Sequence, residues 1–163
     1  MKKSQIWSFD FVISVVIFII VVITLLFTLE YTSTQANEHV NINRMERTAL
    51  LISDSLIRSP GVPESWNIST VEIIGLAKEE NVLNETKVAF LLNLTNEQIK
   101  TLLGIEAYNF YIELRNSNNE TLEVDGKPII KGDYPSNAHF VIPVERVVLF
   151  GNTISKLLLI LWI

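Results

Sequence analysis

Hydrophobic and polar positions follow three regimes along the chain. From Phe11 to Phe27 the run FVISVVIFIIVVITLLF holds no charge, proline or glycine. Its apolar side chains go all the way round a helix, as lipid or a bundle interior requires. Extended to Phe9 and Leu29, the segment is about 31 Å long as a helix, which matches a hydrocarbon core of roughly 30 Å. From Tyr31 to Arg58 the period changes. Met45, Ala49, Ile52 and Leu56 recur on one helix face, with Glu46, Arg47 and Asp54 off it. That is an amphipathic helix. It continues the first as one long helix, or as two with a soft joint at Thr32 to Asn37. Ser59-Pro60-Gly61-Val62-Pro63 ends it.

Beyond this point the pattern shortens. Ser69 to Ala77 reads as a short strand and a turn. Lys87 to Leu92 and Asn96 to Leu103 read as two short helices. Thr95 and Gln98 form a capping-box pair ahead of the second, and Gly104 stops it. Tyr108 to Arg115 alternates, with Tyr108, Phe110, Ile112 and Leu114 on one face, which predicts a half-buried strand. Asn116 to Asn119 turns into Thr121 to Val124, a hairpin. Asp125-Gly126-Lys127-Pro128 and Lys131-Gly132-Asp133 read as turns. Phe140 to Phe150 and Ile154 to Ile163 flank Gly151-Asn152, a strong hairpin signal. Leu157 to Trp162 is too short to span a bilayer. It reads as a central strand, covered on one face by the long helix and on the other by the short ones. The fold class is α+β: a long N-terminal helix, membrane-spanning in its first half, then a small head with short helices and an antiparallel sheet of four or five strands.

Charge orients this layout. Lys2 and Lys3 precede the apolar run, and Glu30 and Glu38 follow it. The positive-inside bias puts the N-terminus in the cytoplasm and the head outside, in a single pass through the cell membrane. A cleaved secretory signal, cut after Ala36, competes with this reading, but such a signal has a shorter apolar stretch. The net charge of -5 gives no footprint for nucleic acid. The chain has no cysteine, so no disulfide or thiolate metal site is available. Four N-x-[ST] sequons, at Asn67, Asn84, Asn93 and Asn119, are candidate acceptors for N-linked sugar and agree with an outside head.

Candidate chemistry is sparse. His39 and His139, the two histidines, lack metal-ligand spacing and read as surface residues. Glu72 and Glu79-Glu80 read as solvated. No nucleophile elbow or phosphate-binding loop occurs. The expectation is a protein that is not an enzyme, with no catalytic residue, metal or cofactor. Asp10 is the odd residue, a carboxylate at the mouth of an apolar helix. It is costly in lipid unless paired, or solvated at the interface near the positive helix end.

The stretch Lys2-Lys3-Ser4-Gln5-Ile6-Trp7-Ser8-Phe9-Asp10-Phe11, leading into the long apolar helix, resembles the class III signal sequence of archaeal type IV pilin-like proteins. Ser8, Asp10 and Phe11 match that pattern. Gln5 stands one residue early for it, so the implied cut leaves either Ile6 or Gln5 first. The residue before the cut is then Gln5 or Ser4 rather than the family's frequent glycine. The stretches SDSLIRSPGVPESW, IIGLAKEENVLNETKV and ERVVLFGNTISKLLLILW are similar to a recurrent archaeal pilin-like head. The resemblance implies removal of a leader over 1–5 by a prepilin peptidase. It implies a retained membrane and assembly helix over 6–29, an outer continuation over 30–59 and a head over 60–163. It further implies that Asp10 pairs with the new amine of a neighbouring subunit, and that the chain is a pilin-like, minor subunit of a type IV filament or pseudopilus. Its partners would be the lipid bilayer, the peptidase and other pilin-like subunits. The alternative is a monomeric membrane-anchored surface protein whose head binds a ligand or partner.

Overall fold

The computed structural model describes the backbone of residues 3–163 and the side chains of 9–31 and 41–163. The first element is α1, Lys3–Arg58, one continuous helix. The chain divides into two compact units, Met1–Asn43 and Arg44–Ile163, which are described separately.

In the first unit, the segment Phe9–Tyr31 has a mean hydropathy of 3.2 and none of it is buried. Its serine and threonine hydroxyls do not interrupt the apolar character. Ser14, Thr24 and Thr28 each donate to the carbonyl four residues back, at 2.8, 2.8 and 2.7 Å. Back-bonding of this kind satisfies a polar group where no water can.

The second unit begins with the last turns of α1. The predicted face is the buried one: Met45, Ala49, Ile52 and Leu56 all lie in the core. The remaining elements are β1 (Ala77–Glu79), β2 (Val82–Leu83), α2 (Glu85–Asn93), α3 (Asn96–Leu103), β3 (Asn109–Asn116), β4 (Glu123–Val124), β5 (Lys127–Pro128), β6 (Ile130–Gly132), β7 (Val141–Phe150) and β8 (Thr153–Trp162). Six strands form a half-barrel sheet in the order β1-β2-β7-β8-β3-β6. The expected antiparallel sheet is in fact mixed, because β2 runs parallel to β7. The fold class is α+β.

The β7–β8 hairpin turns at Gly151 and Asn152, both with positive φ (54° and 64°), as its tight two-residue loop demands. Phe140 and Ile163 exchange backbone hydrogen bonds. The bonded pairs along this ladder therefore fall on the even residues of β7. The odd residues point their backbone groups away from β8, towards an edge that β2 covers only at Leu149. Pro143 is odd, so its missing N–H costs no ladder bond.

Leu157, Leu159 and Leu161 of β8 pack into one core with α1, Val88 and Leu91 of α2, and Ile99 of α3. This corrects one expectation. The short helices do not cover the second face of β8; they join α1 on the first, and Leu158 and Trp162 on the other face stay half-buried. Three local readings change as well. Ser69 to Ala77 is not a strand. It is a loop carrying one bridge, Val62 to Ile73, fastened by the buried Trp66, whose Nε1–H donates to the carbonyls of Pro60 and Gly75 at 3.0 and 2.9 Å. The hairpin from β3 through Asn116 to Asn119 is shorter than expected: Thr121 pairs antiparallel with Arg115, with the Asn116 N–H donating to Glu120 and the Leu122 N–H to Leu114, and beyond it β4 pairs with β5 across Asp125-Gly126. Lys131-Gly132 is strand β6 rather than a turn, because Tyr111, Ile112 and Glu113 of β3 offer it a partner edge.

Candidate functional site

The N-terminal site is built on the first turns of α1. The backbone of Gln5, Ile6 and Ser8 is helical, but their side chains, like that of His39, lie outside the described residues. Phe9, Asp10 and Phe11 are exposed. Among the described residues, no hydrogen bond or ion pair engages the Asp10 carboxylate. The Asp10 carboxylate thus stands at the second position of an exposed, largely apolar segment of 23 residues, Phe9–Tyr31. Such a helix serves as an anchor or as a signal.

The head carries two polar clusters that sequence reasoning did not single out. Glu113 is buried on the face of β3 opposite the core. It accepts hydrogen bonds from Tyr111 Oη at 2.9 Å, from Thr121 Oγ1 at 2.6 Å and from the Arg115 guanidinium. Burial alone would raise its pKa. The bonds from Arg115, Thr121 and Tyr111 outweigh that and hold the carboxyl below its ordinary range. The same burial, with the bond to Glu113, pushes Tyr111 up to about 12. Tyr134 closes over Tyr111 edge to face, at 5.3 Å between ring centroids. The Arg115 Nε is buried without a partner. The signal in the sequence was the run Tyr111, Glu113, Arg115 at period two. It looked like a solvated strand face because its cover, Thr121 and Tyr134, comes from farther along the chain.

The second cluster lines an open cleft of about 550 Å³ between Pro60, Trp66, Asn84 and Phe90. Lys87 is buried there and donates to the carbonyls of Pro60 (2.7 Å) and Ala77 (3.4 Å). Burial lowers its pKa, and nearby Glu64 partly restores it. Both bonds hold the loop after α1 in place. The ammonium is engaged as a clamp, not presented as a nucleophile.

The other candidates stay dispersed. Glu72, Glu79, Glu80 and His139 are exposed, and Glu80 faces Arg58 at 3.4 Å. Among the described residues no three His, Cys, Asp or Glu side chains converge as a metal site. The asparagines of the sequons are exposed at Asn67, Asn93 and Asn119 and half-buried at Asn84. Asn84 caps α2 through its side-chain oxygen.

These features define a class: an α+β protein with one membrane-length apolar helix at its N-terminal end, an anchor or a signal. The chain belongs to DUF7287, a family of unknown function, which matches residues 2–162. No curated protein and no solved structure matches it.

Proposed function

We propose that the chain is a structural cell-surface protein, a pilin-like subunit anchored and assembled through its apolar N-terminal helix. One observation carries this reading: an unpaired carboxylate, Asp10, at the start of an uncovered helix of membrane length. In a plain anchor this acid would have to stay solvated at the interface, near the positive helix end, since a charge in hydrocarbon is costly without a partner. Removal of the leader supplies one. The ammonium created at Ile6 or Gln5 of one subunit neutralises Asp10 of the next, and the apolar helices pack together. The head then stands outside, with the prepilin peptidase and other pilin-like subunits as partners. The hydrogen bonds of its two polar clusters tie the head's own strands and loops together, and the role read here is structural.

Two measurements test this. Peptide mass spectrometry on protein from native membranes is expected to find Ile6 or Gln5 as the first residue. An intact Met1 would favour the monomeric anchored surface protein instead, and a start at Asn37 a secreted one. Asp10→Ala is expected to abolish the assembled polymer while the head stays folded. A normal yield of polymer from that variant rules the assembly role out.

A further inference from the structure

The four sequons fare differently once the head is folded. A sugar-transferring enzyme needs two groups of the motif. One is the asparagine amide, which becomes the linkage. The other is the hydroxyl two residues on, the feature that Ser and Thr share. At Asn119 that hydroxyl belongs to Thr121, which is half-buried and donates to the Glu113 carboxylate at 2.6 Å. At Asn93 the middle residue, Leu94, is buried in the core. There the asparagine amide donates to the Ala89 carbonyl at 2.9 Å, and the Thr95 hydroxyl caps α3. Asn84 is half-buried, and its side-chain oxygen holds the N–H groups of Thr86 and Lys87 at 2.9 and 3.3 Å. Drawing that amide into an enzyme uncaps α2.

Asn67-Ile68-Ser69 has none of these ties. All three residues are exposed, in the loop between α1 and β1. The Asn67 side-chain oxygen accepts from the Ser69 N–H at 2.8 Å, a turn closed within the motif itself. Opening it breaks no helix cap and no ladder bond. Among the described residues nothing engages the Asn67 amide nitrogen or the Ser69 hydroxyl. Ser69 also borders an open groove of about 460 Å³ beside α3, which gives an enzyme room to approach.

From this contrast we infer that Asn67 is the N-glycosylation site of the folded head, and that Asn84, Asn93 and Asn119 stay bare. This rests on the reading that the head stands outside the cell, though not on leader removal. The transfer is a substitution at carbon. The Asn67 Nδ2 attacks the anomeric carbon of a glycosyl phosphate donor. A C–N bond forms as the C–O bond to phosphate breaks. The phosphate leaves with that electron pair, and the displaced amide proton passes to a base on the enzyme. Nothing is oxidised or reduced. The fold makes the choice, because in an unfolded chain all four motifs are open alike.

The test uses the full chain from its native membranes. Its intact mass is expected to exceed the sequence mass by a saccharide. Peptide mapping is expected to place all of that mass on the peptide that holds Asn67. Asn67→Gln and Ser69→Ala should each remove it completely, and Ser69→Thr should keep it. Asn84→Gln, Asn93→Gln and Asn119→Gln should leave it unchanged. Circular dichroism checks that each variant is folded, and the mapping of the native chain needs no variant at all. Sugar on Asn84, Asn93 or Asn119 overturns the inference, since the fold is then not choosing.

A bare Asn67 overturns it as well, and protease added to intact cells says what else falls. On a protease-sensitive head, a bare Asn67 sinks this inference alone and leaves the outside reading standing. On a protected head, it removes both. Sugar on Asn67 together with an intact Met1 upholds this inference and sinks the pilin-like one.

Discussion

One helix, α1, lives in two different settings, and the contrast shows what each part of the sequence answers to. Over Phe9–Tyr31 every direction is apolar and nothing in the structure covers it. Over Met45–Ile57 the face of Met45, Ala49, Ile52 and Leu56 is closed by the sheet and the short helices, while Leu50 and Leu51 stay exposed. The backbone is the same in both. What differs is the environment of the side chains: the first is left uncovered, as an anchor or a signal would be, and the second has the head's own core against one side. Intrinsic helix propensity does not separate them, because the β-branched residues abundant in the first half are not strong helix formers. Their common property is apolarity on every side, whereas the core selects Met45, Ala49, Ile52 and Leu56 for position.

The contrast breaks most sharply under the same substitution in each half. Ala49→Asp places a carboxylate where the side chain is 0% exposed. Burying an unpaired charge is expected to cost about 4–5 kcal/mol or more, enough to unfold the head. Its membrane association should survive. Ile19→Asp should do the opposite. A carboxylate at mid-segment costs about 2.5–3.5 kcal/mol of insertion, so the variant is lost from membranes while the head melts as before. Membrane fractionation paired with thermal melts reads both. Equal loss of head stability from the two variants would show that the halves are not independent.

A smaller effect is expected from a polar group satisfied by other side chains. In the apolar half, Ser14, Thr24 and Thr28 find acceptors on their own helix. Glu113 instead draws on Tyr111, Arg115 and Thr121. Glu113→Gln leaves those donors with a weaker acceptor. Arg115 is partly solvated, so the expected cost is about 1–3 kcal/mol. The pH dependence has a definite sign. The folded carboxyl titrates below its unfolded value, so its stabilisation is present above about pH 4.3. It is lost as pH falls through the folded value. Urea melts of the native chain should therefore weaken between about pH 4.3 and lower pH more steeply than those of Glu113→Gln. Parallel curves for the two would show that Glu113 titrates normally.

How much of this was legible depended on the distance a signal must span. The buried face of α1, the capping box of α3 and the Gly151-Asn152 turn are written in residues a few positions apart, and each stands as read. Features that need a distant partner were not legible. Lys131-Gly132 looks like a turn until β3 offers an edge. The parallel approach of β2 to β7 joins Val82 to Leu149 and leaves no local trace. Glu113 looks solvated until Thr121 and Tyr134 arrive. Asp10 stood out at once as a carboxylate at the edge of an apolar run. Its partner is not legible in one chain, because the proposed pair forms between two.

The smallest effect comes from the helix at the other extreme of length. Whereas α1 runs over 56 residues, α3 has eight and is too short to persist alone. It leans on its ends. Thr95 accepts from the Gln98 N–H at 3.2 Å, and the Gln98 side chain accepts from the Thr95 N–H at 2.9 Å. Thr95 also completes the sequon that begins at Asn93, so one hydroxyl serves the cap and a candidate sugar site. Three substitutions separate the roles. Thr95→Ala removes both and is expected to cost about 1 kcal/mol through the cap. Thr95→Ser keeps both and should be near neutral. Asn93→Gln removes only the sequon. Asn93 is exposed at the end of α2, where its amide donates to the Ala89 carbonyl at 2.9 Å. Its loss should cost less than that of the cap. Melting curves paired with intact mass decide the matter. If Asn93 carries sugar, Asn93→Gln and Thr95→Ala lose the same mass, yet only Thr95→Ala loses the stability of the cap. Equal destabilisation by those two variants would place the role of Thr95 in the sugar and not in the helix.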